Sequence, residues 1–215
     1  MNMKKLFAAL MALVMVLSFA ACGSETAAGK GETTIVGSWT GAMDMTQAME
    51  EMMEASLGVE VPMEDIAMNL TFKFNSDGSL ECSVDEKSAE KMVENMIDAV
   101  VNVLVETLEA EGVDLEAEGL TEADIREMME ESLSVDDMVE SMTESFDDVY
   151  YVYKDGVVYT ADNLDELKED PEANSEETWE VKLSGNTLKI IDIVDADGES
   201  MNDVIPGVLP MTFKK

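Results

Sequence analysis

Carboxylates are the one reactive group this chain carries in quantity. It has 48 Asp and Glu against 13 Lys and Arg, a formal charge of −35, and no histidine. Acid–base chemistry by carboxylates needs two of them at a defined separation, in environments that push their pKa values apart. No spacing here singles out such a pair, so no catalytic residue is assigned and the chain reads as a non-enzyme. Without histidine, Ser-His-Asp and Cys-His catalysis are excluded, as are zinc and copper sites built on imidazole. The nineteen methionines invite copper through their thioethers, yet most recur at helical spacing, where Met is a flexible core filler. Glu86, Glu90, Glu94 and Asp98 form an i, i+4 acidic row, offset across their segment only by Lys87, Lys91 and Arg126. Asp195-Ala196-Asp197-Gly198-Glu199 looks calcium-like but lacks the later glycine and glutamate of an EF-hand loop. Both read as solvated acidic surface. No metal and no cofactor is assigned.

The two cysteines have separate roles. Cys82 lies between Leu80 and Val84 on one side of an alternating stretch, which reads as a buried free thiol. Cys22 closes the opening segment, where Lys4-Lys5 precede an apolar run from Leu6 to Phe19 and then Ala20-Ala21-Cys22-Gly23. That run is shorter than the roughly 20 residues of a bilayer span and fits the apolar core of a secretory signal. The segment resembles the lipobox of bacterial lipoproteins, with Phe19 where that family usually has Leu. The resemblance implies a signal peptide over residues 1–21, cleavage before Cys22 and acylation of its thiol. It also implies anchorage to the extracytoplasmic face of a bacterial cell membrane. Residues 22–33 are small, polar and unpatterned, as expected of a flexible tether. With Cys22 spent on the anchor, Cys82 has no disulfide partner. So acidic a surface repels nucleic acid and anionic headgroups, so nucleic acid is not an expected partner and membrane attachment rests on the acyl chains. No protein partner is legible.

The remaining residues, 34–215, are enough for one domain. Ile35–Gly41 reads as a first strand with Trp39 pointing inward. A Met-striped amphipathic helix follows from about Thr46 to Leu57, with Asp44 or Thr46 as its cap and Gly58 at its end. Met68–Phe74 and Ser79–Val84 alternate about the turn Asn75-Ser76-Asp77-Gly78, the clearest hairpin in the chain. The period then changes to three and four. Three helical stripes, the later two capped by Thr121 and Ser134 and the first stopped by Gly112, predict a helical insertion over about 85–146. Alternation returns in Val149–Lys154 and Val157–Ala161, around Asp155-Gly156. The acidic stretch Asp162–Glu177 reads as a loop. Thr178–Leu183 and Thr187–Ile193 form a last hairpin, followed by a short helical piece near Glu199–Ile205 and a closing strand at Met211–Phe213. The expected fold is mainly β with a helical insertion (α+β): an antiparallel up-and-down barrel of about eight strands, with helices packed at one end or side.

Four pieces in this order, Gly37-Ser38-Trp39, Phe72 to Ser79, Gly185 to Leu188 and the terminal Leu209 to Lys215, resemble the small lipocalin-like domains of bacterial lipoproteins, a group largely of unknown function. The resemblance implies that Trp39 packs across one end of the barrel and that the interior holds a small apolar molecule. The candidate lining residues are Trp39, Phe72, Phe74, Tyr151, Trp179 and Val181. An interior of eight strands either fills with side chains or holds one small ligand. The pocket reading requires a continuous internal cavity of drug-like volume, roughly 300 Å³ or more, and is lost without one. The alternative is a filled barrel whose insertion carries a contact surface for another protein or the cell envelope. An exposed apolar patch on the insertion larger than about 400 Å² would support that alternative.

Overall fold

A computed structural model describes residues 34–110 and 121–215. The signal, the tether, Cys22 and the stop at Gly112 lie outside the described residues. Eight strands form one antiparallel sheet: β1 (Gly37–Asp44), β2 (Ala67–Phe74), β3 (Leu80–Val84), β4 (Tyr150–Lys154), β5 (Val157–Ala161), β6 (Glu177–Ser184), β7 (Thr187–Asp195) and β8 (Met211–Lys214). Strands β1 to β3 and β4 to β8 each pair with their neighbours in sequence, and β8 pairs back onto β1, in the order β3-β2-β1-β8-β7-β6-β5-β4. One bridge, Ser79 with Tyr150, joins the two outer strands. It is reinforced where the Leu80 N–H donates to Val149 O at 2.7 Å and the Tyr151 N–H to Gly78 O at 2.8 Å. The result is the expected up-and-down barrel, nearly closed, with its weakest seam between β3 and β4.

Seven helices are described: α1 (Thr46–Leu57), α2 (Glu86–Ala110), α3 (Glu122–Glu130), α4 (Val135–Glu144), α5 (Leu164–Glu169), α6 (Pro171–Asn174) and α7 (Met201–Val204). Their caps follow local chemistry. Thr121 and Asp124 exchange side-chain and backbone bonds in a capping box, and the Ser134 hydroxyl accepts from the Asp137 N–H. At α1 the cap position falls to Met45, without a side-chain bond. Asp44 instead accepts from the Thr46 N–H at 3.0 Å, and the Thr46 hydroxyl takes the Ile66 N–H at 3.1 Å. The insertion buries its stripe as expected, with Met92, Met96, Ile97 and Val100 of α2 in the core. Arg126 of α3 binds the Asp98 carboxylate of α2.

Two expectations change. The first strand runs from Gly37 to Asp44 rather than from Ile35 to Gly41, because β2 offers partners along that whole length, from Gly37 opposite Phe74 to Asp44 opposite Ala67. The acidic stretch 162–177 is not a loop but two short helices, α5 and α6. Asn163 caps the first through the N–H groups of Asp165 and Glu166, Leu167 is fully buried beneath it, and Pro171 starts the second under an Asp170 cap. Proline costs nothing at a first helical position, so it divides the stretch into helices rather than abolishing helix.

In an up-and-down barrel, alternate connections fall at the same end. The links β2–β3, β4–β5 and β6–β7 are tight turns, whereas β1–β2, β3–β4, β5–β6 and β7–β8 all carry helices. The barrel therefore has a turn end and a helix end. The described chain enters at the turn end, where Gly37 pairs with Phe74, and leaves there, where the Lys215 N–H donates to Asn186 O. None of the described helices is long and apolar enough to cross a membrane.

Candidate functional site

At the turn end the described inward side chains are buried. Trp39 is fully buried there, its indole N–H donating to Ile35 O and its ring covered by the Lys215 ammonium at 4.8 Å. Phe74 meets Tyr151 edge-on at 4.9 Å, and the Tyr151 hydroxyl donates to Asn75 O at 2.9 Å. Val181 and Leu188 complete the buried layer. Because the Tyr151 hydroxyl is buried near Asp77, its pKa is pushed well above that of a free phenol.

Midway along the barrel Phe72 is an aromatic hub. Its ring lies 5.2 Å from Trp179, 5.2 Å from Phe213 and 5.5 Å from Phe146. Phe146 follows α4 and also faces Trp179 edge-on at 6.4 Å. It reaches the interior beside β3, where the β3–β4 ladder has only one bridge, so the insertion supplies a side chain where the sheet supplies no strand.

Beyond this hub, at the helix end, lies a cavity of about 160 Å³. The ends of the strands form its walls with Met43, Leu70, Cys82, Ile193 and Met211, above a floor of Phe72 and Trp179. Helices close over it. Met45 comes from the start of α1, Met142 and Phe146 from α4 and the turn after it, and Met201, Val204 and Ile205 from α7 and its end. Of the candidate lining residues, Phe72 and Trp179 line the cavity. Trp39, Phe74, Tyr151 and Val181 do not; they fill the core. The volume is about half of the roughly 300 Å³ that the drug-sized pocket requires, so the expectation of such a pocket is not met by this cavity. What remains compares with the ~150 Å³ apolar cavity known to hold benzene in an engineered lysozyme core.

The polar part of the lining is acidic. Glu177, Asp195 and Glu199 contribute to it, and none of the described lining residues is basic. Glu177 opens β6 directly opposite Asp195 of β7. One of its carboxylate oxygens accepts the Trp179 indole N–H at 3.2 Å. Burial raises the Glu177 pKa; the Trp179 bond opposes this, while Asp195 and Glu176 add to the rise. The Asp195 carboxylate accepts the backbone N–H groups of Asp197 and Glu199, both at 2.9 Å. The resemblance to a calcium loop is therefore an acidic turn folded on its own backbone. Cys82 is a buried free thiol, as its alternation predicts, and burial pushes its pKa up to about 12. A thiol so rarely ionised is an apolar wall, not a nucleophile.

Sequence reasoning missed Phe146, which reads as one more residue of a helical stripe, and Glu177, which reads as the end of an acidic loop. It also missed Gly41. A Cβ there would sit 2.5 Å from Thr212 O and 2.8 Å from the Phe213 ring, so this glycine permits β1 to close against β8.

Fold and site together define an eight-stranded antiparallel barrel, sealed by turns at one end and hollow under helices at the other. In comparisons with family models, with curated proteins and with solved structures, nothing matches this chain.

Proposed function

We propose that this chain is a non-enzymatic bacterial lipoprotein, held on the extracytoplasmic face of the membrane through Cys22, whose barrel binds a small apolar ligand at its helix end. The observation that carries the binding part is the apolar cavity of about 160 Å³ roofed by flexible methionines and Phe146. A void of this kind lacks partner atoms for its lining, so an apolar guest of matching size regains dispersion contacts. Thioether side chains adapt to the shape of such a guest at little cost. Because the described chain enters the barrel at the turn end, a tether to the membrane attaches at the end opposite the cavity. An exposed apolar patch on the insertion would favour the filled-barrel alternative, and Val103, Leu104, Val105 and Leu108 there are half-buried. Among the described residues the exposed large hydrophobic side chain is Val204, on α7 rather than on the insertion.

Two measurements test the reading. Calorimetry with 2-phenylethanol, a neutral probe built on a benzene ring, should give saturable one-to-one binding; heats no larger than those of dilution would refute the binding part. Fractionation of cells expressing Cys22→Ser should move the protein out of the membrane fraction. Retention there would refute the anchor.

A further inference from the structure

We propose that the preferred ligand class is a small organic amine: a benzene-ring body carrying one ammonium group, seated with its ring against the floor of Phe72 and Trp179 and its cation at Glu177. This rests on the cavity reading above and adds the charge of the guest.

Three observations meet at the site. The first is the sign of its polar groups, because Glu177, Asp195 and Glu199 line the cavity with no basic side chain among the described lining residues. The described ion pairs do not involve any of the three. A carboxylate in an apolar wall without a counter-charge is costly, and a bound cation offsets that cost. The second is position. The Trp179 indole N–H holds Glu177 at the edge of the aromatic floor, so an ammonium at the carboxylate leaves the apolar body of the guest lying against that floor. The third is access. Asp195 is half-buried, whereas Glu199 and Val204 reach the surface at the rim. A cation therefore meets a carboxylate at the mouth and another inside. The −35 charge of the whole chain raises the local concentration of any cation and lowers that of an anion.

Burial, Asp195 and Glu176 act together to raise the Glu177 pKa, against the Trp179 bond. An ammonium brought to the carboxylate reverses that balance, which is the direction in which binding energy would be gained.

The test compares three probes of one size on the full chain at pH 7.5 and physiological salt: phenethylamine, 2-phenylethanol and phenylacetate. The expected result is saturable binding of the amine at least tenfold tighter than the alcohol, with phenylacetate weaker than both. In Glu177→Gln the ratio of amine to alcohol affinity should fall below about threefold. Glu90→Gln, on the exposed face of α2, should leave that ratio at its wild-type value. Equal affinity for amine and alcohol overturns the amine proposal and leaves the apolar cavity standing. Loss of the preference in Glu90→Gln as well would assign it to diffuse surface charge and overturn the site. Absence of binding by all three probes overturns both readings. Where a variant does not fold, the wild-type ratio is measured again at about 1 M salt, where exposed charge is screened and a partly buried pair much less: a preference that vanishes there overturns the site.

Discussion

Phe146→Ala tests whether the insertion closes the barrel. Phe146 is half-buried, with its ring 5.5 Å from Phe72 and 6.4 Å from Trp179. Truncating a fully buried phenylalanine costs about 3–5 kcal/mol through lost transfer energy and the void left behind. Phe146 keeps part of its surface in water, and the void merges with an existing cavity, so we expect a smaller loss of about 2–3 kcal/mol. For a chain of this size each kcal/mol moves the melting temperature by about 2–4 °C, so the midpoint should fall by about 4–12 °C. Urea or thermal unfolding followed by circular dichroism measures this directly. A double-mutant cycle with Phe72→Leu then isolates the ring contact, for which about 0.5–1.5 kcal/mol of coupling is expected. A midpoint shift below about 2 °C, or additive effects in the cycle, would mean that Phe146 only lies over the seam, and the closure of the cavity by the insertion would have to be abandoned.

Gly41→Ala places a methyl group against Thr212 O and the Phe213 ring, at the junction where only Thr40–Lys214 and Gly41–Phe213 pair β1 with β8. Overpacking of this kind costs about 1–3 kcal/mol, and a denaturation midpoint equal to wild type would show that β8 can retreat freely. Glu177→Gln tests the sign of the buried carboxylate. Its folded pKa is raised above the usual 4.5, so the folded state binds that proton more readily than the unfolded chain does. The protonated group's contribution to stability is fully present below about pH 4.5 and is lost as pH rises through the folded pKa. Glu177→Gln should therefore be more stable than wild type at pH 7 and no more stable at pH 3.5. Stabilisation that persists unchanged at pH 3.5 in urea titrations would contradict the burial account.

Alternation and turn chemistry made the strands legible. Met68, Leu70, Phe72 and Phe74 alternate with polar residues and all four are buried, because one face of the hairpin meets the core. Thr121 and Ser134 marked helix starts because a cap is a local bond, independent of the rest of the fold. The helices at 164–174 were hidden for the opposite reason. Their one fully buried apolar anchor is Leu167, too little for a periodic signal against so many charges. Gly41 could not be found from its own neighbours, since its reason is Thr212 and Phe213, far away in the chain.

The site itself failed in an instructive way. A period of two identifies the face a side chain occupies but not its height in the barrel. Trp39, Phe72, Phe74, Tyr151, Trp179 and Val181 all point inward, as alternation requires, yet only Phe72 and Trp179 stand where the interior is hollow. The missing coordinate was present in the order of connections. With helices in the first, third, fifth and seventh links, inward residues nearest those links, such as Met43, Ile193 and Met211, belong to the helix end. Tight turns let strands converge and side chains interlock, which is why Trp39 and Phe74 leave no space at the other end. Helices cannot seat side chains into a barrel mouth as closely as strands pack against one another. Their contacts there are three methionines, Phe146, a valine and an isoleucine over a residual void. Whether that void is a packing remainder or a binding site is decided by its chemistry. Glu177 in its wall provides the test: a carboxylate beside an apolar void carries a cost that protonation or a bound cation relieves, and only the second appears as a preference for amines over neutral guests.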